Sequence, residues 1–163
     1  MAERIVLCDA SPLIGLAAAG GFDLLRQLFG TVTITATVRQ EVLAGKNLPG
    51  AAELSAAMRT GWVRVIEDPA ETPDTGLDMG EATLLAAAAR HEGPCLVLMD
   101  DLLGRQDVKA LGLAVTGTAG VLLIAKRRGL VPAVRPLLDA LARAHFRLSE
   151  EVIRAVLEGA GEA

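Results

Sequence analysis

Two five-residue runs constrain this chain more than any other feature: RIVLC at residues 4–8 and CLVLM at residues 95–99, each ending on aspartate. A short, unbroken apolar run is what a strand buried on both faces requires, because both sides of its pleat meet protein. Strands of that kind belong to parallel sheets whose faces are covered by crossover helices. Residues 32–35 and 62–66 read as further strands, and residues 113–115 as a last short one. Helical segments are expected over residues 13–19, 22–29, 38–44, 49–59, 78–91 and 102–111. The Thr116-Gly-Thr-Ala-Gly120 turn opens another to Arg128, and two more follow at 132–144 and 149–157. Strands alternating with helices predict a three-layer α/β/α fold around a parallel sheet of four or five strands. The length of 163 residues fits one domain over 1–163, with C-terminal helices from about residue 132.

Local signals set the expected helix starts. Ser11 is placed to cap a helix whose first residue is Pro12, which frees Asp9 for another role. Thr37-Val-Arg-Gln40 has the form of a capping box. Asp78 and Glu81 have the same spacing, so Glu81 is either a capping partner or a metal ligand. Residues 68–77 hold three acids and two prolines without apolar periodicity and read as a loop.

The formal charge is −4, with 16 basic and 20 acidic residues. A chain that grips nucleic acid by charge alone is usually basic, so any such chemistry here works through cations or a local patch. Cys8 and Cys95 sit in apolar runs and read as small core residues. Two histidines make a His/Cys zinc site a poor fit. No apolar stretch approaches the roughly 20 residues that span a bilayer, and no signal-peptide anatomy precedes the first strand. A cytoplasmic protein with no membrane contact is therefore expected.

In parallel α/β sheets, ligands bind beyond the carboxyl ends of the strands. Asp9 and the pair Asp100-Asp101 stand at that edge. Glu41, one turn into a helix, and Glu81, at a helix start, can converge on it. Packed carboxylates repel one another and are stable together when cations neutralise them. Oxygen-only ligands select hard ions, Mg²⁺ or Mn²⁺. Such ions activate a water, hold a scissile phosphate and stabilise the leaving oxygen. Taken singly, Glu41 reads as a solvated helix residue, and one of Asp100 and Asp101 as a helix N-cap.

The order Asp9-x-Ser11 after the first strand, Glu41 in the next capped helix, a later helix-start acid and an aspartate after the fourth strand resembles PIN-domain nucleases. IVLCDASPLIGLA, VRQEVL, DMGEATLLAAAAR, LVLMDDLLGRQDVKALGL and VTGTAGVLLIAKRRGL are similar to an uncharacterised PIN-like branch found in prokaryotes. The resemblance implies metal-dependent cleavage of single-stranded RNA, commonly as the toxin of a toxin–antitoxin pair with a protein partner. It carries over to Asp9, Glu41 and the Asp100/Asp101 pair. Glu81 stands where many PIN toxins have Asp. On this reading Asp9, Glu81 and Asp100 or Asp101 hold the metal, Glu41 completes the site directly or through water, and Ser11 orients an acid or a water.

Substrate contacts are expected from Ser11, from Arg105 as a phosphate ligand or partner of the acids, and from Thr116 and Thr118 in a turn whose N–H groups can face a phosphate. That turn lacks dinucleotide or P-loop spacing, and Thr118 also reads as a helix N-cap. Lys126–Arg128 complement a helix C-terminus, with a basic edge for RNA as the second reading. Asp9-Ala-Ser11 resembles the nucleophile strand of haloacid-dehalogenase-like phosphatases, whose second Asp is Ser here. CLVLMDDLLG resembles the phosphoacceptor strand of receiver domains, which need two acids after the first strand. The main rival is a PIN-fold binding module that does not cut. Aliphatic surface on the early and last helices would suit a homodimer or a partner's amphipathic helix.

Overall fold

A computed structural model describes residues 3–73 and 76–163, so Asp74-Thr75 of the expected loop and Met1-Ala2 lie outside the described residues. The elements run β1 (Ile5–Cys8), α1 (Ala10–Ala18), α2 (Leu24–Phe29), β2 (Val32–Thr35), α3 (Ala36–Ala44), α4 (Ala51–Thr60) and β3 (Val63–Ile66). Then follow α5 (Met79–Arg90), β4 (Cys95–Leu98), α6 (Leu102–Ala110), β5 (Ala114–Thr116), α7 (Thr118–Arg127), α8 (Arg135–Arg143) and α9 (Glu150–Gly159). All five strands are parallel, in the order β3-β2-β1-β4-β5, and helices flank the sheet to give the three-layer architecture.

The two apolar runs form the centre of the sheet. β1 pairs with β4 from Ile5 beside Cys95 to Cys8 beside Leu98. Leu7, Cys8, Val97 and Leu98 are fully buried, as a strand covered on both faces must be. From β1 the chain steps outward through β2 to β3, then returns to place β4 on the other side of β1. The reversal makes the carboxyl ends of β1 and β4 the topological switch point, where such sheets bind ligands. Asp9 and Asp100-Asp101 follow those two strands directly.

Three helix caps differ from expectation. Asp9, not Ser11, caps α1, and its Oδ1 accepts the Ala10 N–H at 2.9 Å. Pro12 falls in the first turn, where its missing N–H has no helical acceptor to lose. Thr35, not Thr37, caps α3 by accepting the Val38 N–H at 3.3 Å, while Thr37 turns its N–H and hydroxyl to Asp68. At α7 the N-cap is Gly117 rather than Thr118, and the Asp100 carboxylate receives the first N–H instead. In each case a partner remote in sequence decides which of two plausible caps is used.

The aliphatic residues of α1 and α2 serve the interior. Leu13, Leu16 and Leu25 are fully buried, and Leu24 and Leu28 nearly so. Large apolar side chains are instead exposed at the starts of α5 and α6: Met79, Leu102 and Leu103. Among the described residues, no helix is long and apolar enough to cross a membrane.

Candidate functional site

Two hydrogen-bonded chains build the carboxylate edge. The first begins at the Val38 N–H, which donates to Thr35 Oγ1. Thr35 and Thr83 join their buried hydroxyls at 2.8 Å, and Thr83 Oγ1 donates to the Gly80 carbonyl at 2.8 Å. Each hydroxyl has a single proton. Thr83 uses its own on Gly80, so Thr35 donates to Thr83. This chain locks the start of α3, which carries Glu41, to the start of α5, which carries Glu81. The Glu41 carboxylate lies against Gly80, where a Cβ would meet its two oxygens at 2.6 and 2.8 Å. The second chain holds Asp100. Its Oδ2 accepts Ser11 Oγ at 2.9 Å and Thr118 Oγ1 at 2.7 Å, and its Oδ1 accepts the Thr118 N–H at 2.8 Å. Asp101 instead caps α6, accepting the Gly104 N–H at 2.8 Å.

Burial and mutual repulsion set the electrostatics. Asp9 is only 5 % exposed. Burial pushes its carboxyl up to about 7 against the Ala10 N–H, which pulls it down, and the charges of Asp78, Glu81 and Glu41 push it further up. Glu81 is raised to about 7 by burial, then by Asp78 and Asp101, while the Asp78 N–H acts the other way. Glu41 is raised by burial and by Asp78 and Asp68, with the Gly80 N–H opposing. The Cys8 thiol beneath them is also raised, first by burial and then by Asp9 and Asp100. It is a core thiol, not a nucleophile.

Asp9, Glu41 and Glu81 therefore share one field, and Asp101 reaches it through Glu81. Asp78 belongs to the same field and was not singled out from the sequence, where its capping of α5 masks it; that cap is present, with the Glu81 N–H at 2.8 Å. Its position three residues before Glu81 was the available signal. Asp100 is turned toward Ser11 and Thr118. The Thr118 side chain is fully buried against it, and Thr116 lies over Gly120. Arg105 leans over Gly117 near Asp100 without forming an ion pair.

The donor chemistry fits a hard divalent cation. Asp9, Glu41, Asp78, Glu81 and Asp101 offer oxygen alone. No protein cation neutralises them: among the described residues the side-chain ion pairs are Arg26 with Asp23 and Lys126 with Glu162. The acids surround one sheet edge more loosely than a closed ligand shell, since among the described residues no three His, Cys, Asp or Glu side chains meet closely enough to enclose an ion.

A family model described as a PIN domain (DUF3368) matches residues 5–162, nearly the whole chain. No curated protein and no solved structure matches it. PIN domains have a nuclease-type fold and generally use divalent metals. With the parallel sheet and the acids at its switch point in place, the match over residues 5–162 makes this chain a member of the PIN-domain family.

Proposed function

We propose that this protein is a Mg²⁺- or Mn²⁺-dependent endonuclease acting on single-stranded RNA. The observation that carries the reading is the set of Asp9, Glu41, Asp78 and Glu81 at the switch point, where burial first and mutual repulsion second hold Asp9 and Glu81 near 7. A divalent cation held there would supply water activation and charge neutralisation at the scissile phosphate. Asp9, Glu81 and Asp100 or Asp101 would hold it, with Glu41 acting directly or through water. Ser11 and Thr118 orient Asp100, and the Thr35–Thr83 pair sets the separation of Glu41 and Glu81. Arg105, which lies near Asp100 without an ion pair, would supply a phosphate contact. The family supports RNA as the substrate, and the proposal extends to the toxin half of a toxin–antitoxin pair as the cellular role in a cytoplasmic setting. An antitoxin-like protein partner and a homodimer belong to the same proposal.

The test is incubation of single-stranded RNA with the protein in Mn²⁺, in Mg²⁺ and in EDTA, beside Asp9→Asn. Cleavage that needs the metal and vanishes in the variant is expected. Metal-independent cleavage, or equal cleavage by Asp9→Asn, contradicts the proposal. The open spacing of the acids favours a second reading, a PIN-fold module that binds RNA or protein without cutting it. That reading predicts RNA retention with no cleavage in either metal.

A further inference from the structure

A groove of about 760 Å³ leads away from the carboxylate edge, beginning at Ser11 and Asp100 and running between α6 and the connection from α8 to α9. Arg105 and Lys109 line one wall, and His145 and Arg147 line the other. Among the described residues none of these side chains takes part in an ion pair. In a protein of net charge −4, the three basic side chains Arg105, Lys109 and Arg147 on one groove are a local concentration of positive charge. Glu151 is the one carboxylate on the groove besides Asp100.

The far wall is held in place by a specific device. Phe146 lies on Gly15, where a Cβ would come within 2.7 Å of the ring. Gly15 is one turn beyond Ser11 on α1, so the same helix face that orients Asp100 also seats the α8–α9 connection. α8 ends in a Schellman turn, with the Phe146 N–H on the Leu141 carbonyl at 2.9 Å and the His145 N–H on the Ala142 carbonyl at 3.1 Å. The left-handed position of that turn belongs to His145, with φ of 61°. It is the one non-glycine with positive φ among the described residues, while turns elsewhere use glycine, as at Gly61 and Gly129. A strained residue is retained where glycine would be unstrained, and its imidazole lines the groove.

We propose that this groove binds the stretch of single-stranded RNA adjoining the cleavage site, with its phosphates on Arg105, Lys109 and Arg147 and its bases against His145 and the exposed edge of Phe146. The assignment rests on the RNA-directed reading above and adds a binding path to it. Arg105 and Lys109 lie on one face of α6 about 6 Å apart, a spacing suited to neighbouring phosphates of one strand. Aromatic edges beside a cationic wall accept unstacked bases without demanding a sequence.

The test is fluorescence anisotropy of a labelled oligouridylate with the full-length protein in EDTA, where binding is read without cleavage. Lys109→Ala/Arg147→Ala should weaken binding at least tenfold and reduce the log–log salt slope by about 1.4, two single-strand phosphate contacts. The control, Arg59→Ala/Arg64→Ala, changes two exposed arginines on α4 and β3 and should leave both quantities unchanged. His145→Gly should raise the melting temperature yet weaken binding. Equal losses in the groove variant and the control overturn the proposal, as does no loss in the groove variant. Oligouridylate failing to bind while polyglutamate binds through Lys109 and Arg147 overturns it in favour of an acidic protein partner. A wild type that binds RNA through the groove but never cleaves it with Mn²⁺ upholds the groove and refutes the nuclease.

Discussion

Ser11 and Asp100 lie 89 residues apart, yet Ser11 Oγ donates to Asp100 Oδ2 at 2.9 Å and ties the ends of the two central strands together. Thr118 completes the arrangement with two further donors. Thr118→Val keeps the shape and the N–H but removes the buried hydroxyl, at a cost of about 1–3 kcal/mol. Thermal denaturation should show a fall of roughly 3–10 °C. Ser11→Ala, at a half-buried site, should cost less. An unchanged melting temperature in Thr118→Val would mean that Asp100 does not depend on this support.

The Thr35–Thr83 pair supports a separate prediction. Thr83→Val removes the acceptor of the Thr35 hydroxyl and the donor to Gly80. A loss of about 1–3 kcal/mol is expected from the unpaired buried group. Metal affinity should fall as well, because the starts of α3 and α5 are no longer locked together. Loss of stability with unchanged Mn²⁺ affinity would reduce the pair to a core feature.

Gly80→Ala separates stability from site geometry in the opposite sense. A Cβ at Gly80 would stand 2.6 Å and 2.8 Å from the two Glu41 carboxylate oxygens. Those atoms end a flexible side chain, so Glu41 swings aside and the backbone stays. Alanine favours a helix over glycine by up to about 1 kcal/mol. The melting temperature should hold or rise, while Mn²⁺ affinity drops about tenfold or more. Unaltered affinity in a titration of the variant would remove Glu41 from the site.

The raised carboxyls fix the sign of the pH dependence. Asp9 moves from an ordinary 3.8 to about 7 on folding, and Glu81 from 4.5 to about 7. The folded state therefore binds more protons between these values, and stability falls as pH rises through that window. Glu41 acts in the same direction. Asp23 and Glu162 are lowered, so their contributions are lost only at more acid pH. In EDTA the melting temperature should decline from pH 5 to pH 8, with roughly 2–4 kcal/mol attached to Asp9. Asp9→Asn retains the capping oxygen and should flatten the curve. A melting temperature that rises across this range in EDTA would contradict the electrostatics described for the site.

Much of this was legible in the sequence, for physical reasons that differ by element. RIVLC and CLVLM read as central strands because full burial leaves a continuous apolar run. Residues 32–35 match β2 without adjustment. The acids at the strand ends were visible because the switch-point rule says where to look. The caps were harder. Ser11 is the better-placed cap in sequence, and the distant Asp100 draws it away and leaves the cap to Asp9. Likewise Asp68 occupies Thr37 and leaves the cap of α3 to Thr35. Asp78 was hidden by a capping role that it does fill. Arg147 carried no signal, since its place beside Lys109 depends on how Phe146 seats on Gly15.

Divalent-cation binding by the carboxylates at the switch point is the property on which the proposed chemistry depends. Calorimetric titration with Mn²⁺ at pH 8, on the wild type and on Asp9→Asn in parallel, tests it most directly. Saturable binding to the wild type is expected, with proton release that shrinks as pH rises above 7, and its loss in the variant. Equal binding by both proteins, or binding by neither, would contradict it.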